Sequence, residues 1–141
     1  FFAPAFSDPD LIDGARYILA TVGLEQGADR LVATISHGER RLLELALAMA
    51  TTPSLLLLDE PMAGAGAEES QRMTQIIKGL RKDHGILLIE HDMDAVFALA
   101  DRITVLVEGA AIATGTPKQI SQNKAVREAY LGNEDDDAAI G

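Results

Sequence analysis

The stretch Leu55-Leu56-Leu57-Leu58-Asp59-Glu60-Pro61 constrains this chain more than any other. Four consecutive leucines, reached through Pro53-Ser54, read as a short strand buried on both faces. Two carboxylates follow side by side at its carboxyl end. Desolvating an unpaired charge costs on the order of several kcal/mol, so a buried strand does not end in paired acids for stability alone. In open α/β sheets, ligands lie just outside the carboxyl ends of the strands. The pair therefore points to a ligand met at this strand end rather than to packing. The plainer reading is a strand ending in solvated acids before a proline turn.

The residues that follow extend this frame. Glu68 to Lys82 reads as a helix with Met73, Ile76, Ile77 and Leu80 on one face. Gly85 then starts a second buried strand, Ile86-Leu87-Leu88-Ile89, which ends in Glu90-His91-Asp92. Strand, helix and strand at this spacing form a βαβ unit with parallel strands. Their carboxyl ends share one edge, which brings Asp59, Glu60 and His91 together. After a helical turn over Met93, Val96, Phe97 and Ala100, the segments 103–107 and 110–114 read as strands joined by a tight Glu108-Gly109 turn. Gly115-Thr116-Pro117 opens a short helix, and Ala125 to Leu131 forms a last one.

Before the leucine run, Leu11, Ala15, Ile18 and Val22 recur at helical spacing, giving an amphipathic helix over 10–22 that is capped by Asp8 or Ser7 and stopped by Gly23. Leu24 to Ala33 reads as a second helical piece. Arg40 to Ala50 is a helix, apolar almost all round after its first turn, and is expected to be buried. Ser36 sits at its N-cap with Glu39 three residues on, a capping-box pattern. The functional reading of the same residues is that Ser36 and Gly38 stand at the positive end of a helix, where backbone N–H groups can meet a phosphate.

Composition bounds the function. The 141 residues suffice for one modest domain, and a net charge of −10, shared equally by the two halves, argues against direct nucleic-acid binding. There is no cysteine, hence no thiolate metal site, and no apolar run approaches the ~18–20 residues that span a bilayer. Gly132 to Asp137 is an acidic, mobile tail by composition.

Taken in order, Ile35-Ser36-His37-Gly38-Glu39, an Ala/Leu-rich helix, Leu-Leu-Leu-Leu-Asp-Glu-Pro, a helix and Ile89-Glu90-His91-Asp92-Met93 resemble the second half of an ABC transporter ATPase subunit. The first block is similar to the LSGGQ signature, the leucine run to Walker B, His91 to the switch histidine, and Ala63 to Glu69 to the D-loop. Within that family, Ile89 to Met93 and the ending Glu128-Ala129-Tyr130-Leu131-Gly132 resemble branched-chain amino acid importers, with lipopolysaccharide-export ATPases as the runner-up.

The resemblance implies a partial P-loop NTPase fold of α/β class: a mostly parallel sheet core with flanking helices, a terminal β-hairpin and part of the helical signature subdomain. It implies one domain piece over 1–132, with a signature part at 1–50, a Walker B and switch part at 51–132, and the tail at 133–141. It implies ATP and Mg²⁺ as cofactors. Asp59 would hold the metal directly or through water, Glu60 would activate the attacking water, and His91 would donate to the γ-phosphate. Ser36, Gly38 and Glu39 would contact ATP held by a second ATPase subunit, with Gly64 and Gly66 in the D-loop between the sites. Permease subunits and a cytoplasmic, peripheral position on the inner face of the cell membrane follow.

The departures are equally specific. No G-x-x-x-x-G-K-[ST] occurs, nor a candidate for the Q-loop glutamine or the adenine-stacking aromatic. His37 replaces the first signature glycine, Leu47 an arginine of the following helix, and Gly66 an Asp or Asn of the D-loop. With no initial Met, the chain is expected to be a piece of a longer subunit and inactive alone. A chromosome-maintenance type of ATPase shares the Leu45-Ala46-Leu47-Ala48 pattern, but Pro61, Ala100-Asp101-Arg102, the Gly-Thr-Pro close and the absence of heptads count against it. A non-enzymatic half-domain that keeps Walker B only as structure is the remaining alternative.

Overall fold

The computed structural model describes residues 8–131, so the expected acidic tail lies outside the described residues. Asp8 opens the first helix: its carboxylate accepts from the Asp10 amide (3.1 Å), and Pro9 fills the first helical position. Helix α1 runs Pro9–Thr21 and stops at Gly23, whose φ is +73°. Its apolar stripe is largely uncovered, with Leu11 exposed and Val22, just past the helix, fully buried. Leu24–Ala33 is not a second helix but two 3₁₀ turns, Glu25–Gly27 and Val32–Thr34. Ten residues with a glycine inside are too few to sustain an α-helix without strong packing.

Helix α2, His37–Met49, buries Leu42, Leu45 and Ala46. It is not buried all round as its composition suggested: Leu47 and Ala48 face outward, because only one stripe of the helix meets a neighbour.

Strand β1 (Leu55–Asp59), helix α3 (Ala67–Leu80) and strand β2 (Gly85–Ile89) form the expected βαβ unit. The strands are parallel and adjacent, in register from Leu55↔Gly85 to Asp59↔Ile89. Two contacts align their starts: the Gly85 amide donates to the Ser54 carbonyl (2.9 Å), and the His84 ring nitrogen Nδ1 meets the Pro53 carbonyl (2.7 Å). Helix α3 buries Met73, Ile77 and Leu80.

The strands are not buried on both faces, however. Leu56 is buried, whereas Leu55, Leu57, Leu87 and Ile89 are each more than half exposed. A single crossover helix covers one face of a parallel pair, and the register puts these four residues together on the other.

Helix α4 (Met93–Leu99) leads to strands β3 (Ile103–Val107) and β4 (Ala110–Gly115), an antiparallel hairpin and a separate sheet. Glu108 (φ +49°) and Gly109 (φ +80°) both take left-handed backbone, as a type I′ turn requires. Helix α5 (Pro117–Ser121) starts at a Thr116–Gln119 capping box. Helix α6 (Lys124–Val126) continues as a π-helical turn, Arg127–Leu131. Ile103, Val105, Ile120 and Val126 form a core with Val96, Phe97, Ala100 and Ala113 against it. The Tyr130 hydroxyl donates to the Leu106 carbonyl at 2.6 Å.

Two compact units, 1–95 and 96–141, divide the chain, with the boundary inside α4. Among the described residues no helix is long and apolar enough to cross a membrane.

Candidate active site

At the carboxyl end of β1 the backbone does something unusual. Asp59 ends the strand with its side chain exposed, and Glu60 then takes a left-handed conformation, φ +46°. A glutamate held there costs about 1–3 kcal/mol. The conformation is fixed from both sides: the Glu60 amide donates to the Ile89 carbonyl (2.8 Å), and its carbonyl accepts from the Ala63 amide (3.0 Å). The turn directs the Glu60 carboxylate toward the loop after β2, where its Oε1 lies 3.4 Å from His91 Nδ1. Both side chains are at least half exposed, so the pair contributes little to stability. Thr52 and Glu108 also take left-handed backbone, so it is the strain together with the His91 contact that makes Glu60 a candidate site residue.

Asp59 reaches this edge through the strand pairing itself. Among the described residues no three His, Cys, Asp or Glu side chains gather closely enough to hold a metal alone. One exposed carboxylate does fit Mg²⁺, which keeps most of its water and takes one or two protein oxygens beside substrate phosphates.

The other expected cluster lies at the start of α2. The Ser36 hydroxyl accepts from the Glu39 amide (3.1 Å), and the Glu39 carboxylate accepts from the Ser36 amide (2.8 Å), completing the capping box. Arg30 adds two bonds to Glu39, 2.6 and 3.3 Å. The Ser36 amide and then the Arg30 guanidinium hold the Glu39 carboxyl below its ordinary range. At Gly38, an added Cβ would meet only the end of the flexible Glu69 side chain, which can swing away. Packing inside the chain does not demand glycine there.

A cavity of about 70 Å³ opens beside Ser36, Gly38 and Glu39, and a hollow of about 410 Å³ opens beside Asp59 and Glu60. They share Arg41, Pro61 and Met73 as lining, so the two clusters face adjoining spaces. In the loop after Pro61, Gly64 has a φ of +67°, which favours glycine. Gly66 caps α3 with extended backbone, makes no side-chain cap and has open space around it.

Two family models match the chain: one described as ABC transporter over residues 10–63, and one described as branched-chain amino acid ATP-binding cassette transporter over 112–136. The high-affinity branched-chain amino acid transport ATP-binding protein BraF of Pseudomonas aeruginosa is 42% identical over 136 residues, 94% of this chain and 53% of BraF. The lipopolysaccharide export system ATP-binding protein LptB of Escherichia coli K12 is 34% identical over 123 residues, 86% of this chain and 51% of LptB. The ATP-binding cassette MJ1267 of an ABC transporter superposes with a TM-score of 0.79 at 28% identity, covering 94% of this chain and 53% of that one.

The chain belongs to the ABC transporter ATP-binding family. It spans about half the length of the curated relatives it matches. In ABC terms, the structure places Glu60 next to His91 and puts Asp59 on the same strand edge, while Ser36, Gly38 and Glu39 line the neighbouring cavity. Two residues were missed from sequence. Arg41 lines both spaces, and only its helical offset from Gly38 hinted at this. Glu90 carries a carboxylate with no exposure at all, in contact with three backbone amides. A lone acid closing an apolar strand was the available signal.

Proposed function

We propose that this chain is the signature and hydrolysis half of an ATP-hydrolysing subunit that drives branched-chain amino acid import. The observation that carries the reading is Glu60, held in left-handed backbone 3.4 Å from His91 at the shared edge of two parallel strands. Glu60 orients the attacking water and takes its proton, and His91 donates to the γ-phosphate. Asp59 holds Mg²⁺, which when bound neutralises charge on the phosphate oxygens. Ser36, Gly38 and Glu39 face ATP bound by a second ATPase subunit, and Gly64 and Gly66 belong to the loop between the two sites. The dimer docks on permease subunits at the inner face of the cell membrane. The higher identity to BraF than to LptB supports import over export.

In the intact subunit, Glu60→Gln is expected to lower steady-state ATP hydrolysis by about 10²–10⁴-fold while Mg-ATP binding persists. Asp59→Asn is expected to raise the Mg²⁺ concentration needed for half-maximal rate. Turnover close to wild type in Glu60→Gln would remove the catalytic assignment. ATP-dependent dimerisation of that variant, followed by light scattering, tests the role of Ser36 and Gly38. Uptake of labelled leucine by vesicles carrying the whole transporter tests the substrate. The 141-residue chain alone, having no G-x-x-x-x-G-K-[ST] sequence, is expected to bind Mg-ATP more weakly than ~10 μM, about −7 kcal/mol.

A further inference from the structure

Glu90 is an acid of the strand edge that the hydrolytic reading does not use. Its side chain has no exposed surface, in contrast to the exposed Glu60 and His91 beside it. A carboxylate withdrawn from water needs full hydrogen bonding to be tolerated. Here the bonds come from two different segments. One oxygen, Oε1, accepts from the Met62 amide at 2.8 Å, in the turn that follows Glu60. The other, Oε2, accepts from the His91 amide (3.1 Å) and, at longer range, the Asp92 amide (3.4 Å), in the loop after β2.

Each segment carries one member of the Glu60–His91 pair. Met62 is itself buried and lies two residues from Glu60, and the His91 amide belongs to the switch histidine. Asp92 continues the chain of contacts by accepting from the Ala95 amide (3.1 Å), which anchors the start of α4. No neutral side chain of this size offers two acceptor oxygens. Glutamine would present one oxygen and one NH₂ group, and that NH₂ would face N–H donors on whichever side it took.

We propose that Glu90 is a positioning residue: its two carboxylate oxygens clamp the turn after Glu60 to the loop of His91 and so set the separation of the catalytic pair. The kinetic part of this proposal rests on the hydrolytic reading of Glu60 and His91. The clamp itself does not.

The test is Glu90→Gln in the intact subunit, read in two ways. Turnover is expected to fall about tenfold to a hundredfold while KM for Mg-ATP stays within about twofold, because the change acts on alignment and leaves nucleotide contacts alone. Hydrogen exchange at the Met62 amide, or at the His91 and Asp92 amides, is expected to quicken by a similar factor. Unchanged exchange at all three amides overturns the clamp. Faster exchange with unaltered turnover overturns the positioning role. If the unmodified subunit hydrolyses no ATP, the hydrolytic reading and with it the positioning role fail, and exchange still decides the clamp. Should the variant not fold, exchange in the unmodified protein decides: a Met62 amide as fast as an exposed loop amide overturns the proposal.

Discussion

Strands β3 and β4 pack Ile103 and Val105 into a core completed by Ile120 and Val126, whereas β1 and β2 leave Leu55, Leu57, Leu87 and Ile89 more than half exposed. The hairpin unit gets its cover from segments directly before and after it, Val96 to Ala100 and the helices after Thr116. The parallel pair buries Leu56 on one face and leaves the other largely open. Parallel strands ordinarily have both faces covered. The edge that carries Glu60 and His91 is thus built on the part of the molecule with the less complete core.

The largest expected effect separates the two cores. Ile120→Ala should cost about 2–5 kcal/mol in urea unfolding of the chain, since the side chain is almost wholly buried. Leu57→Ala should stay within about 0.5 kcal/mol, because its side chain is mostly in solvent. Equal losses at the two positions would break the comparison. In an intact subunit whose remaining residues cover that face, Leu57→Ala would instead approach the Ile120 value.

The next contrast sets two glutamates side by side. Glu60 (φ +46°) and Glu108 (φ +49°) share left-handed backbone, one at the site and one in the hairpin turn. Glu108→Asn should raise stability by roughly 0.5–1 kcal/mol, since asparagine tolerates this region and suits a type I′ turn. Glu60→Gly should gain about 1 kcal/mol and lose ATP turnover in the intact subunit. A loss of stability in both would show that the strain is not real.

A third comparison concerns helix starts. Ser36→Ala should cost about 1 kcal/mol by removing a working cap, measured by thermal unfolding. Gly66→Asp should gain only a few tenths of a kcal/mol at a start that has no side-chain cap. Acidification should echo the first of these. The Glu39 carboxyl is depressed in the folded chain, so its contribution is complete above its unfolded value and is lost as pH falls through the lower folded one. Glu39→Gln should flatten that acid limb of the stability profile.

Much of this was legible in the residues, for identifiable reasons. Strand, helix and strand at close spacing dictate a right-handed parallel crossover, so the meeting of Glu60 and His91 followed from spacing alone. Ser36 and Glu39 are local and formed the box their types suggest. What was not legible depended on distance or on faces. Four leucines in a row carry no alternation, so nothing in them distinguishes Leu56, buried, from Leu57, exposed. The apolar α2 gave the same false impression at Leu47. Glu60 is not a residue that prefers left-handed backbone, and Glu90 meets a partner 28 positions away.

The register of the two sheets also has a consequence in time. The hairpin pairs nothing farther apart than Ile103 and Gly115, and it can zip from its turn in about 1–10 μs. Every pair between β1 and β2 spans thirty positions, as Leu55 and Gly85 do. Closing that longer loop costs about 0.8 kcal/mol more in chain entropy even before the intervening helix is ordered. We therefore expect pulse-labelled refolding to protect the β3–β4 amides before those of β1 and β2, and simultaneous protection would refute this order. On this schedule Glu60 and His91 meet late, and the edge they share is among the last structures the chain acquires.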